Sequence, residues 1–483
     1  MSDKAFDALH ERKSLAKVVS YWDYVTIGLG SIIGVGWILV AGEWLNKGGP
    51  LGTALGFFIG GMLIITIGKC YAELTPAIPV AGGEVAFAYK AFGTGTAFMT
   101  GWFLAFGYVF LGPFETTSLG WLFELLFPGL RSAPLYSIGG YDISFSTLIP
   151  GLAVGIFIII LNYLGVKNSA KFQLISMMLL IACALVFTIV AVFKGDLSNL
   201  KPVFSAGETF KGGLWSTVAI LGMVPFFMAG FDTIPQVAEE SGEKVEPKKL
   251  GKAIVLSIVI GSLFYCIVIL GVSSCMPWKE AVKLEMPSAG VFQAAFGYVW
   301  VTKLVLITGF LGLVTSLNGI YLAATRVLFA SGRGGLMPHW FGEISKKHKT
   351  PKNAILFAGA IALIGPFIGK AVILPIVNVS SLAYMCAWLV TCLVTLKLRK
   401  AAPNMNRPYM VKSKMTMYAG VVISAVLILL IVTPGSSAQL KWPLEYAILA
   451  GWMIFGYMGY RWRKHRGDLT KEERDYQILG EYR

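Results

Sequence analysis

A helix needs about 20 consecutive apolar residues to cross the hydrocarbon core of a bilayer, because its peptide groups find no water there and must bond to one another. This chain of 483 residues supplies such stretches repeatedly. Free of Asp, Glu, Lys and Arg are Tyr24 to Gly42, Gly48 to Gly68, Ala91 to Phe114, Ile143 to Val166, Leu174 to Phe193 and Gly212 to Phe231. Six more follow: Ala253 to Pro277, Leu304 to Thr325, Ala354 to Gly369, Ala371 to Leu396, Met415 to Leu440 and a shorter one, Tyr446 to Tyr460. Charged residues make up 14% of the chain, far below the quarter usual for water-facing domains. The expected fold class is therefore all-α, a polytopic membrane protein with 12 transmembrane helices.

An even number of spans puts both termini on one side, and basic residues in short loops mark the cytoplasmic side. With the N-terminus placed inside, 31 of the 41 Lys and Arg fall on the inner side and ten on the outer. N and C termini are thus expected in the cytoplasm, in a multi-pass plasma-membrane protein. The same bias accounts for the net charge of +15 without nucleic acid. The first 20 residues are charged and lack the apolar stretch of a signal peptide, so they read as a cytoplasmic tail. The six cysteines form no C-x-x-C spacing and the four histidines lie in polar segments, so no metal and no cofactor are expected.

Interruptions in the spans carry the functional information. The first contains GLGSIIGVGWI, with four glycines in nine residues, and the sixth contains Pro225, Gly230, Asp232 and Pro235 at comparable depth. Gly weakens a helix by about 1 kcal/mol and Pro by about 3, so helices 1 and 6 are expected to be discontinuous. Broken backbone at membrane depth is tolerated where it lines a cavity, and two breaks five spans apart fit a LeuT-like 5+5 inverted repeat. The implied organisation is a tail at 1–20, a first repeat of helices 1–5 at 21–200, a second of helices 6–10 at 201–400, helices 11–12 at 401–462 and a cytoplasmic tail at 463–483. Gly56, Gly60 and Gly61 read instead as small residues that let helices pack closely.

GSIIGVGWI in span one, AELTPAIPVAGGEVAFAY after span two, NYLGVKNSAKFQ between spans four and five, FFMAGFDTIPQVAEE in span six and LNGIYLAATRVLFASGRGGLMPHWF leaving span eight resemble the amino acid-polyamine-organocation permeases. The resemblance covers residues 20 to 410 or so. It implies a secondary transporter whose broken helices hold an amino acid zwitterion: carboxylate on the N–H groups of Val35 and Gly36, ammonium on the carbonyls of Ile32, Phe226 and Ala229, with glycine at 34, 36 and 230 leaving room. Trp37 replaces the smaller Ile or Val of relatives beside this site, and Val35 lacks the hydroxyl of their Ser. Ile320 stands where arginine/agmatine exchangers place a Trp, which disfavours arginine. Tyr108 is expected in the pocket wall.

Asp232, just past the second break, either caps free N–H groups, binds a substrate amine or carries a coupling proton. Glu115 in span three is equally readable as an interfacial residue. The fifth span holds no lysine, Leu180 standing where proton-coupled relatives have one, and this leaves exchange, facilitated uptake or a proton on an acid such as Asp232. Sodium coupling through Thr315 and Ser316 is disfavoured. Glu73, Glu239 and Glu240 at the inner ends of spans two and six, with Lys171, Arg326 and Arg333, are expected to form a cytoplasmic gate. The partners expected are thus a small amino acid or, alternatively, an amine such as ethanolamine or a polyamine, together with the lipid bilayer and a coupling proton. Short loops without a catalytic cluster exclude a membrane enzyme, and a channel is the third class.

Overall fold

The computed structural model describes residues 12–369, 373–434, 436, 439–465 and 469–482. The first helix, α1 (Tyr21–Ile32), starts at a capping box in which Asp23 N–H donates to the Ser20 hydroxyl at 3.4 Å and Ser20 N–H to Asp23 at 2.8 Å. It stops in the glycine-rich run, and a short α2 (Gly36–Leu39) leads through Val40 into α3 (Ala41–Ala77). Within α3 the backbone leaves the helical region at Gly49, φ 66°, just before Pro50. The second half of the first span therefore continues into the second span around a kink rather than through a loop.

The chain goes on through α4 (Gly83–Phe92), α5 (Thr94–Leu126), α6 (Phe145–Tyr163) and α7 (Val166–Lys194). Span six is cut twice, into α8 (Phe210–Leu221), α9 (Val224–Met228) and α10 (Thr233–Gln236). One break is what the sequence suggests. The second arises at Gly222–Met223, where Pro225 at the start of α9 has no N–H to bond back into α8. Then come α11 (Pro247–Cys275), α12 (Trp278–Ala281), α13 (Pro287–Phe296), α14 (Val299–Arg333), α15 (Lys352–Ala362), α16 (Gly365–Ile368), α17 (Ile373–Ala401), α18 (Lys414–Val432), α19 (Leu444–His465) and α20 (Lys471–Leu479). A hairpin of β1 (Pro134–Ile138) and β2 (Tyr141–Ser144) decorates the loop between α5 and α6.

Among the described residues nine helices are long and apolar enough to cross a membrane. The other three expected spans correspond to the shorter Lys352–Ile368, the interrupted α8–α10 and the 22-residue α19. The apolar windows of α5 and α14 are each 78% buried against 22% for α18, so α5 and α14 form the middle of the bundle and α18 its lipid-facing edge. Gly56 and Gly60 bring α3 directly onto Ile220 and Val224 of span six, and Gly61 brings it onto Ser262, whose hydroxyl donates to Phe57 O at 2.8 Å. Trp102 and Trp452 stack at 4.1 Å, each indole N–H donating to the other's carbonyl at 2.8 and 2.9 Å, and so fasten α19 to α5.

Candidate functional site

The two interruptions meet. Gly230 adopts φ 132°, where L side chains rarely sit, and a Cβ there would lie 2.6 Å from the backbone of Ser31. Span six thus opens against the point where α1 ends, and only glycine permits the approach. Gly36 is needed for a different reason than ligand access, since a Cβ there would strike the Phe227 ring. The Ile32 carbonyl accepts from Tyr265 hydroxyl at 2.9 Å and from Gly34 N–H at 3.0 Å, which fills both of its lone pairs. The ammonium contact expected at Ile32 is therefore already taken by the protein.

A cavity of about 560 Å³ begins at these breaks and runs to exposed Glu43, Lys47 and Lys441, on the face away from the termini. Ile32, Gly34, Val35, Gly36, Tyr108 and Phe226 line it, as do Ala229, Gly230 and Ile320. Two expected residues do not. Trp37 is buried outside the cavity, stacked on Phe187 at 5.6 Å and edge-on to Phe264, with its carbonyl taking the Ser288 hydroxyl at 2.5 Å; the large ring fills space between helices rather than the binding pocket. Asp232 also lies off the cavity wall. Its carboxylate folds back to accept Gly230 N–H at 2.9 Å and the Trp388 indole N–H at 3.1 Å. Both oxygens thereby hold the break in shape, and neither caps α10.

The buried acid that does reach the cavity is Glu115. It is 3% exposed, accepts the Ser316 hydroxyl at 2.6 Å through Oε1, and its Oε2 has no partner at hydrogen-bond distance. A buried carboxylate oxygen without a donor is costly unless something supplies one, so this atom marks where a ligand's N–H would go. The Tyr108 hydroxyl, on the same helix, is likewise unpartnered and lines the same wall. Spacing alone gave no means of choosing Glu115 over Asp232, because each directly follows an apolar run. Phe227 was not singled out either, although it lines the cavity and packs edge-on to Trp44 at 4.7 Å.

The opposite end is shut. Arg333 forks onto Glu239 with two bonds of 2.7 Å, and Arg326 onto Glu240 with two of 2.9 Å, all four side chains buried. Residues 12–20 lie across this seal: Arg12 donates to Glu239 at 3.0 Å, Arg333 to the Lys13 carbonyl at 2.9 Å, and Val18 and Val19 N–H to the Glu240 carbonyl at 2.9 Å. Burial pushes the Glu239 carboxyl up, but Arg333 and Arg12 beside it outweigh that and hold it at about 2. Glu73 belongs to a separate cluster, bound by Arg399 at 2.5 and 2.8 Å and by Arg407 at 3.4 Å, not by Arg326 or Arg333. Lys171 is exposed and joins no ion pair among the described residues, so it is no part of the seal. Arg12, Arg399 and Arg407 were missed because their pairing depends on where distant loops fold.

A membrane bundle whose water-reaching cavity ends at two broken helices and is closed by ion pairs beyond them is built as a transporter. The chain belongs to the amino acid permease family, whose model matches residues 19–455. It is similar to the branched-chain amino acid permease BcaP of Bacillus subtilis (strain 168), 29% identical over 82% of this chain and 84% of that one. It is also similar to the methylthioribose transporter of the same organism, 26% identical over 84% and 87%, and to its aspartate-proton symporter, 25% identical over 84% and 77%. The chain is thus a transporter and not an enzyme.

Proposed function

We propose that the chain is a secondary active transporter that moves a small amino acid across the plasma membrane by alternating access, with helices 1–5 and 6–10 as its inverted repeats. Both termini lie in the cytoplasm in this reading, so the cavity faces outward and the ion pairs close the inner gate. The observation that carries the proposal is the junction of the two breaks at the cavity floor, with one free carboxylate oxygen beside it. The ligand carboxylate meets the N–H groups where α2 begins, left without helical partners by geometry. Its ammonium meets the Ala229 carbonyl and Glu115 Oε2, which takes over the role expected of Ile32. Phe226, Phe227 and Ile320 leave an apolar wall for an aliphatic side chain, in keeping with the name of the branched-chain relative. Other relatives are named for methylthioribose and for aspartate, ligands of quite different chemistry.

The free Glu115 oxygen also favours the amine reading, in which an acid in the cavity binds a substrate with no carboxylate. A thermal-shift screen of twenty amino acids against ethanolamine and polyamines, followed by counterflow in liposomes, separates the two. The amino acid reading expects stabilisation by amino acids and loss of the effect in their decarboxylated amines. Stabilisation by amines alone overturns it.

A further inference from the structure

Beneath the broken span, on the side of the closed gate, lies a cluster of buried polar side chains that the ligand cavity does not include. Its centre is Glu84 on α4, 1% exposed. One carboxyl oxygen accepts a short hydrogen bond from the Gln236 amide; the other, Oε1, has no partner at hydrogen-bond distance. A further buried polar atom of this cluster, Gln236 Oε1, is also unpartnered, and the Tyr71 hydroxyl lies close to the Glu84 carboxyl. The groups that face Glu84 are Asp232, just before α10, Gln236 from α10, Tyr71 from α3 and, more distantly, Tyr108 from α5. Trp388 of α17 borders the cluster on the Asp232 side. No cation is among them: Arg326, on the turn of α14 against Gly82, spends its guanidinium on Glu240 and Thr325.

Two buried acids side by side, with no cation beside them among the described residues, cannot both be charged cheaply, and a proton stays on one of them. Asp232 has an N–H donor on each oxygen and suits the anion, whereas Glu84 has a bare oxygen and suits the neutral acid. We propose that Glu84, with Asp232 beside it, is the site that carries the proton coupled to substrate movement in this transporter. The assignment rests on the reading of the chain as a coupled amino acid carrier and adds the atom that holds the proton. Burial, then the charge on Asp232, push the Glu84 carboxyl to about 8, and α4 lies outside the candidate spans.

The mechanics follow from the same contacts. Gln236 donates both to Glu84 and, at 3.1 Å, to the Asp232 carbonyl, and Gly82 N–H donates to the Gln236 carbonyl at 3.2 Å. α4 is thus tied to α10, the half of span six next to the gate. When the gate opens, water reaches Glu84, the carboxyl O–H bond breaks, and the proton leaves to water on that side while the carboxylate becomes hydrated. No other bond changes and no electron moves.

The test uses the full chain in liposomes loaded with a pH-sensitive dye, with a mixture of the twenty L-amino acids as the probe and labelled counterflow run in parallel. The wild type acidifies the lumen on addition of the mixture. Glu84→Gln keeps counterflow within about threefold and loses at least tenfold in acidification. Retained acidification in Glu84→Gln overturns the assignment. Counterflow by the wild type without acidification overturns proton coupling but leaves the carrier standing, and absence of counterflow with this probe counts against the amino acid reading itself. Should Glu84→Gln fail to fold, the wild type alone decides: proton-coupled uptake must slow as the pH on both sides rises past about 8, and an undiminished rate up to pH 10 refutes the site.

Discussion

At the scale of single residues, the free oxygen of Glu115 has a direct energetic consequence. A hydrogen bond to a charged group contributes about 1.5–3 kcal/mol, so Glu115→Gln should weaken ligand binding by about 10- to 100-fold while leaving the melting temperature of the unliganded protein nearly unchanged. Titration by tryptophan fluorescence or calorimetry reads this, and unaltered affinity would remove Glu115 from the pocket. Gly230→Ala should act on the frame instead. It forces φ 132° on a residue with a Cβ that overlaps Ser31, at a cost on the order of 1–3 kcal/mol before the overlap is relieved, so the melting temperature should fall together with binding. A normal melting curve for that variant would mean that the two breaks do not touch. The contrast between Asp232 and Glu115 shows what a sequence can disclose about a membrane site. Gly34, Gly36 and Gly230 are legible as the places where the backbone opens, because propensity acts locally. Which of two buried acids faces the ligand depends on how α10 unwinds and on a Trp388 that lies 156 residues further along.

At the scale of elements, the strap of residues 12–20 and the turn at Ala238–Glu240 act as one closure. Removing one partner of a buried, forked ion pair leaves an uncompensated charge and costs about 3–5 kcal/mol. Glu239→Gln should therefore loosen the closed end. A probe thiol introduced by Ala81→Cys, beside the Ala81 N–H that donates to Glu239 at 3.0 Å, should then be labelled faster. Unchanged labelling would show that the strap alone keeps the end shut. The pH dependence has a definite sign. The Glu239 carboxyl, ordinarily near 4.5, is held at about 2, so its contribution is complete above about 4.5 and is lost as pH falls toward 2. Labelling of Ala81→Cys, taken relative to a free thiol at the same pH, should be the same at pH 5 and pH 7.5, and a relative rise at pH 5 would contradict the pairing. The paired acids Glu239 and Glu240 and the partners Arg326 and Arg333 are visible in sequence as charges at span ends. The N-terminal strap is not, since a charged tail carries no sign of the β-bridge it makes between Val19 and Ser241.

At the scale of the whole molecule, the breaks, the cavity and the seal are parts of one arrangement: an accessible path on one side of a shared midpoint and a barrier on the other. The run lengths alone disclose the all-α membrane bundle but not its cavity or seal, because the bilayer imposes one length on every span. They misplace the second half of span one, which continues past the kink at Gly49, and they miss the extra interruption before Pro225, because helix ends inside a buried bundle are set by neighbouring helices. The central claim is that bare peptide groups at the junction of α1, α2 and α9, with Glu115 beside them, hold the transported ligand. A cryo-EM map of the full chain with the ligand that most raises its melting temperature tests this most directly. It should show density between the N–H groups of Val35 and Gly36 and the Ala229 carbonyl, within hydrogen-bond distance of Glu115 Oε2. Clear ligand density elsewhere, with that junction empty or rewound into continuous helices, would contradict it.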